Sequence, residues 1–226
     1  MIDPASSVLV AGATGGLGSA ITAELGARGV SPVLIGRDGE RLAALPGDGP
    51  RLALDLRSPE ACREAIDFAV RERGRLDVVV NATGVVAFGP VADLAVDVME
   101  ELFLTNTFIP MMLATAALPH LERGGVIVNL SGVIAEQNLP GMAAYGASKA
   151  ALRSFDEALT REARRAGVRV IDARPPHTET GLADRAIAGT APKMPDGLDP
   201  NVVAGVIVDA IEGDTKDLPS SAFTSD

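Results

Sequence analysis

Short apolar runs alternate with amphipathic stretches along nearly the whole chain, and this alternation constrains the fold more than any other feature. The runs lie at residues 8–11, 33–36, 51–55, 78–80, 126–130 and 168–173. Between them, apolar residues recur at helical intervals, as in Leu17, Ala20, Ile21 and Leu25, or Cys62, Ala65, Ile66 and Ala69. A strand apolar on both faces must be covered on both faces. Six strands alternating with helices therefore predict an α/β fold, a doubly wound parallel sheet, in one domain spanning residues 1–226.

Hydrophobic residues make up 47% of the 226 positions, ample for such a core, while aromatics are only 3% and Trp is absent. The core must be aliphatic. The net charge of −10 argues against nucleic acid as a partner, because a phosphate backbone demands a basic footprint. The single cysteine, Cys62, excludes an internal disulfide and falls on an apolar helical stripe. Two histidines far from it give no metal-ligand spacing, so no metal is expected. Met1-Ile2-Asp3-Pro4 has no basic region leading into an apolar run, and no unbroken apolar run reaches the ~18 residues of a membrane span. The expectation is a soluble, cytoplasmic protein with no membrane partner.

The first strand runs into Gly12-Ala13-Thr14-Gly15-Gly16-Leu17-Gly18, and a helix follows. Strand, glycine turn and helix in this order let the backbone approach a pyrophosphate at the positive end of the helix. The spacing is G-x-x-x-G-x-G, and the competing reading is a tight turn needing glycine for geometry alone. Arg37 stands just after the second strand, where an acid would hold a ribose 2′-hydroxyl and an arginine can pair a 2′-phosphate. This favours NADP over NAD. Asp55, at the end of the third strand and beside Leu56, is placed to accept from an adenine amine. Ser58 and Pro59 start the next helix. Asn81-Ala82-Thr83-Gly84 closes the fourth strand as a polar turn at the ligand edge of the sheet.

A helical region from about 93 to 121 follows, with Pro110 expected to kink it just after Asn106 and Gly124-Gly125 expected to end it. Ser131 stands at the carboxyl end of the fifth strand, and the next helix carries Tyr145 and Lys149. At that spacing both side chains share one helix face. Tyr145 is the only tyrosine, and a lysine ammonium one turn away should lower its pKa toward the range of a general acid or base. The sixth strand breaks at Arg174-Pro175-Pro176-His177-Thr178-Glu179-Thr180. Residues 179–198, small and punctuated by Gly and Pro, read as a mobile substrate lid. Asp199 and Pro200 cap a last helix ended by Gly213, and Lys216-Asp217-Leu218 adds a short edge strand.

With these pieces placed, the pattern resembles the short-chain dehydrogenase/reductase family over roughly residues 6 to 213. Gly12, Gly16 and Gly18 match its cofactor turn, Asn81 to Gly84 its Asn-Asn-Ala-Gly segment, and Asn106, Ser131, Tyr145 and Lys149 its catalytic tetrad. Pro175 and Pro176 to Thr180 resemble its Pro-Gly turn and nicotinamide-contacting threonine. The resemblance implies a Rossmann-like fold and hydride transfer between a nicotinamide and a small or medium carbonyl or secondary alcohol. It implies Tyr145 as proton donor or acceptor, Lys149 lowering its pKa and holding the nicotinamide ribose, Ser131 on the substrate oxygen, and Asn106 fixing the kinked helix and holding a water. Thr14, Gly15, Leu17 and Thr178 join the expected cofactor contacts. Ala11 departs from the family's threonine, and Pro176 from its glycine. His177 is a candidate substrate contact on a polar loop. The family also implies a homodimer or homotetramer through the helices at about 93–121 and 143–165, with Ala114, Ala116, Ala117 and Ala158 permitting close approach. Two alternatives stay open: an NAD-dependent alcohol dehydrogenase, and a non-catalytic dinucleotide-binding regulator of the same fold.

Overall fold

The apolar runs become the strands of one sheet. A computed structural model describes residues 2–224. Its strands are β1 (Val8–Ala11), β2 (Val33–Gly36), β3 (Arg51–Ala53), β4 (Leu76–Asn81), β5 (Leu121–Leu130), β6 (Arg169–Ala173) and β7 (Asp217–Leu218). They pair in the order β3-β2-β1-β4-β5-β6-β7, every pair parallel. The helices are α1 (Gly16–Ala27), α2 (Gly39–Ala43), α3 (Pro59–Arg73), α4 (Val96–Phe103), α5 (Ile109–Ala117), α6 (Ala143–Ala163) and α7 (Pro200–Glu212).

Period-two alternation divides the strand residues between two cores. Val8, Val10, Val78, Val80, Val126 and Val128 face α1 and α7. Leu9, Ala11, Val79, Ile127 and Val170 face α3, α5 and the far end of α6. Cys62 lies in the second core, fully buried, and burial pushes its thiol up to about 12. Local signals set the helix starts: Ser58 accepts from Ala61 N ahead of α3, and Asp199 accepts from Asn201 N ahead of α7.

Two boundaries differ from the sequence reading. The strand at 51–55 ends at Ala53, leaving Asp55 in the loop beyond it. Gly124-Gly125 does not end the helical region; it lies inside β5, which begins at Leu121, and the β4–β5 register shifts between Leu76 and Val78. The Pro110 kink appears as a π-helical turn, Leu104–Phe108, between α4 and α5. Proline has no N–H to continue the ladder, and the widened turn absorbs the mismatch. The helical run Val96–His120, although it contains no unbroken apolar run of that length, is long and apolar enough to cross a membrane by length and composition. Half of its most apolar window is buried inside the protein.

Strand order reverses at β1, whose neighbours are β2 and β4. A crevice outside the carboxyl ends of β1 and β4 follows from this reversal.

Candidate active site

The glycine turn occupies the β1 side of that crevice. Gly12 N and Ala13 N donate to Ile35 O at 2.9 and 3.0 Å, and Gly15 N donates to Gly12 O at 2.9 Å. Backbone bonds thus brace the turn although Ala11 brings no hydroxyl. Gly12 sits at φ +75°, and a Cβ there would come within 2.8 Å of the Ala82 backbone. A Cβ on Gly18 would lie 2.1 Å from Gly12 O, and one on Gly16 would lie 2.4 Å from Thr180 Cβ. The glycines are therefore required by close packing within the protein. The start of α1 has no side-chain cap and no acidic residue in its first turn. Its free N–H groups and positive dipole end suit a phosphate, with Gly15, Gly16 and Leu17 at the entrance.

Arg37 follows β2 and is exposed. A second arginine, which the sequence reading missed, stands beside the same corner: Arg41 Nη2 donates to Thr14 O at 2.6 Å. The available signal was Asp38, whose side chain accepts from Arg41 N and starts α2 at that point. Asp55 is exposed and lies 3.7 Å from Arg57. Leu56 is buried, and its carbonyl accepts from Cys62 Sγ at 3.3 Å.

Across the crevice, Ala82 N donates to Ala11 O at 2.9 Å, tying the Asn81–Gly84 turn to β1. Asn81 Oδ1 accepts from Thr83 N and Oγ1 at 3.2 and 2.7 Å, and Asn81 Nδ2 donates to Asn129 Oδ1 at 3.4 Å. Asn106, fully buried in the π turn, clamps the next residues: its Oδ1 accepts from Val85 N at 2.9 Å and its Nδ2 donates to Val85 O at 3.0 Å. The same Nδ2 donates to Ser148 Oγ at 3.0 Å, which in turn donates to Tyr145 O at 2.8 Å. Ser148 was also missed; on α6 it lies between Tyr145 and Lys149, yet it faces Asn106. A Cβ on Gly84 would sit 3.5 Å from Asn106 Oδ1 and 3.7 Å from Lys149 Nζ, so these three elements meet at one point.

Lys149 is buried, and its Nζ donates to Leu130 O at 2.6 Å, next to Ser131. Burial lowers its pKa to about 8 against the opposing pull of Asp172 and Asp156. Tyr145 does not follow the expectation drawn from its spacing. Burial raises its phenol to about 12, and the lysine does not pull it down. Lys149 Nζ donates to the Leu130 carbonyl, and the carboxylates that act on it are Asp172 and Asp156.

Ser131 is also buried, and its Oγ donates to Asp172 Oδ1. Asp172 Oδ2 in turn accepts from Arg174 Nη1 at 2.5 Å. Arg174 is buried among Asp172, Glu136 and Asp217. Burial alone would lower its pKa, and the three carboxylates raise it instead. None of this network was read from the sequence. A second buried carboxyl, Asp156, accepts from Asn129 Nδ2 at 2.7 Å and has no partner for Oδ2. Burial raises it to about 8.

The loop after β6 closes the site. Pro175 O accepts from Val133 N at 3.0 Å, and Pro176 O accepts from Thr178 Oγ1 at 2.9 Å. Thr178 is thereby turned into its own loop and bridges to Leu198, while Thr180 is the threonine that touches the glycine turn. His177 Nε2 lies 3.3 Å from Glu179 Oε1. In the segment beyond, Ile187 N donates to Val86 O and Phe88 N to Ala188 O, each at 2.9 Å. Among the described residues, no group of three or more His, Cys, Asp or Glu is placed to hold a metal.

The comparisons with known proteins agree with this geometry. The model of a family described as short chain dehydrogenase matches residues 6–190. A dehydrogenase/reductase SDR family member 7B from Xenopus laevis is 30% identical over 95% of this chain and 73% of its own length. A hydroxynaphthalene reductase from Aspergillus fumigatus is 31% identical over 72% of this chain and 62% of its own. A solved short chain dehydrogenase from Burkholderia cenocepacia, in complex with NADP, superposes with a TM-score of 0.83 at 25% identity, covering 97% of this chain and 98% of that one. Sheet order, glycine turn and family match together make this chain a member of the short-chain dehydrogenase/reductase family, an NAD(P)-dependent oxidoreductase.

Proposed function

We propose that the protein is an NADP(H)-dependent oxidoreductase acting on a small or medium ketone, aldehyde or secondary alcohol. The observation that carries this reading is the convergence of Gly84, Asn106 and Lys149 beside the Tyr145 helix, at the crevice the glycine turn opens onto. The uncapped start of α1 fits a pyrophosphate, and the exposed Arg37 with Arg41 beside Thr14 fits a ribose 2′-phosphate. Leu56, Asn81 and Thr83 would line the adenine-to-ribose path, and Pro175, Thr178 and Thr180 the nicotinamide end. The cofactor, when bound, supplies or takes the hydride.

The chain's own groups handle the proton and the geometry. Tyr145, held as a phenol at neutral pH, donates to the substrate oxygen. Lys149, anchored on Leu130 O, presents its remaining protons to the ribose. Asn106 has both ends of its amide engaged, and it ties the Tyr145 helix to the loop backbone at Val85. Residues 179–198 act as a substrate lid whose far side is fastened to residues 86–88.

The test is NADPH consumption over grouped carbonyl compounds, with Tyr145→Phe as control. We expect turnover that falls by about 10²–10⁴-fold in the variant while NADPH still binds. Tight NADPH binding without turnover on any compound would leave a nucleotide sensor instead.

A further inference from the structure

Polar side chains replace apolar ones where three strands end. Asn81 stands in register with Asn129, and Asn129 with Asp172, so all three leave the sheet on the same face as Val79, Ile127 and Val170. All three are buried, and α6 covers them with Lys149 and Asp156 on its own buried face. A polar row in such a place is costly unless its groups find partners.

The amide bonds in the row run in one direction. Asp156 Oδ1 accepts from Asn129 Nδ2 at 2.7 Å, and Asn129 Oδ1 accepts from Asn81 Nδ2 at a longer 3.4 Å. Asn81 Oδ1 then accepts from Thr83 N at 3.2 Å and from Thr83 Oγ1 at 2.7 Å. An amide offers oxygen at one end and NH2 at the other, so each amide sets the sense of the next. Asp156 closes the row on the α6 side. Burial keeps a proton on its carboxyl near neutral pH. With that proton on Oδ2, which has no partner, Oδ1 accepts whether the group is charged or neutral. Lys149 and Asp172 are the charged groups that act on it.

We propose that Asp156 is a positioning residue for the cofactor: through Asn129 it orients the Asn81 amide, whose oxygen ties the Asn81–Gly84 turn at Thr83 and so shapes one wall of the cofactor crevice. This rests on the oxidoreductase reading above. The turn packs against the glycine turn, since a Cβ on Gly12 would meet the Ala82 backbone at 2.8 Å, and it ends at Gly84 beside Asn106 and Lys149. Reversed amides would point the Asn81 NH2 at Thr83 N, donor against donor, and the turn would open. Asp156 acts through these amides and not by contact with cofactor or substrate.

The experiment uses the full chain and reads dissociation constants for NADPH and NADH from nicotinamide fluorescence, with a thermal melt of each variant. Asp156→Leu removes the acceptor. We expect it to weaken the better-bound cofactor about tenfold, the worth of one hydrogen bond. In an Asn129→Leu background, where the path to Asn81 is already cut, the same substitution should add less than about twofold. Asn129→Asp tests the row while keeping a polar group. At about pH 6 the two facing carboxyls share a proton, and at about pH 9 both are ionised and repel. We expect this variant to lose about tenfold more cofactor affinity than wild type between those values. Adding Asp156→Asn supplies an NH2 to the new carboxylate and should restore the wild-type pH profile. A lower melting temperature with unchanged cofactor affinity in Asp156→Leu would overturn the proposal. So would an equal loss in the Asn129→Leu background, or an Asn129→Asp profile that Asp156→Asn does not restore. Each of these spares the oxidoreductase reading. If Asp156→Leu does not fold, the Asn129→Asp pair decides alone. A wild type that binds neither NADPH nor NADH would remove that reading and this inference with it.

Discussion

Tyr145 and Lys149 share a helix face but do not share a charge. Lys149 is turned to Leu130 O, and burial dominates both groups, the phenol rising to about 12 and the ammonium falling to about 8. A sequence shows spacing along a helix; it does not show which carbonyl a lysine will reach across the sheet. Asp156 illustrates the same limit more sharply, because nothing in the run Ser154-Phe155-Asp156-Glu157 separates the buried carboxyl from its solvated neighbour. Its folded pKa of about 8 lies above its ordinary 3.8, so the folded state holds a proton that the unfolded state releases. Its contribution to stability is full below pH ~4 and is lost as pH rises through about 8. We expect Asp156→Asn, which has no proton to lose, to flatten the decline in thermal midpoint over that window. Parallel slopes for wild type and variant would refute the assignment.

The elements were the most legible scale. Glycine turn, Ser58-Pro59, Asp199-Pro200 and the apolar runs each act through local sequence, and their helices and strands appear within a few residues of expectation. The misread elements depend on partners distant in sequence. Gly124-Gly125 joins β5 because Leu121 pairs with Leu76. The glycine turn gives a direct test. With Gly12 O 2.1 Å from where a Cβ would stand, Gly18→Ala must push the turn away from the start of α1. We expect a loss of ~1–3 kcal/mol in chemical denaturation, as for overpacking of a tight interior, and a fall in NADPH affinity. Gly26→Ala, on the same helix with nothing within 4 Å, is the control and should be neutral or slightly stabilising.

For the whole molecule, the candidate interface residues divide. Ala114 and Ala117 lie in the core beneath the sheet and cannot contact a second copy, whereas Ala158 is exposed and Phe108 is 50% exposed between α4 and α5. An assembly through these helices would therefore be centred on Phe108 and the outer face of α6. We expect Phe108→Glu to shift the protein toward monomer in light scattering, with its fold retained by circular dichroism. An unchanged mass would place any contact elsewhere.

The position of β1 at the point where strand order reverses also governs how the chain assembles in time. β1 precedes both its neighbours in the chain, and its register partners are Val33–Ile35 on one edge and Val78–Asn81 on the other. A nascent chain released only as far as Gly74 has the glycine turn and α1 but leaves one edge of β1 unpaired. Such sequence-distant closure slows folding, because loop entropy is lost before the contact rewards it. The stretch that shapes the cofactor corner therefore needs both β2 and the sequence-distant β4 to close its two edges.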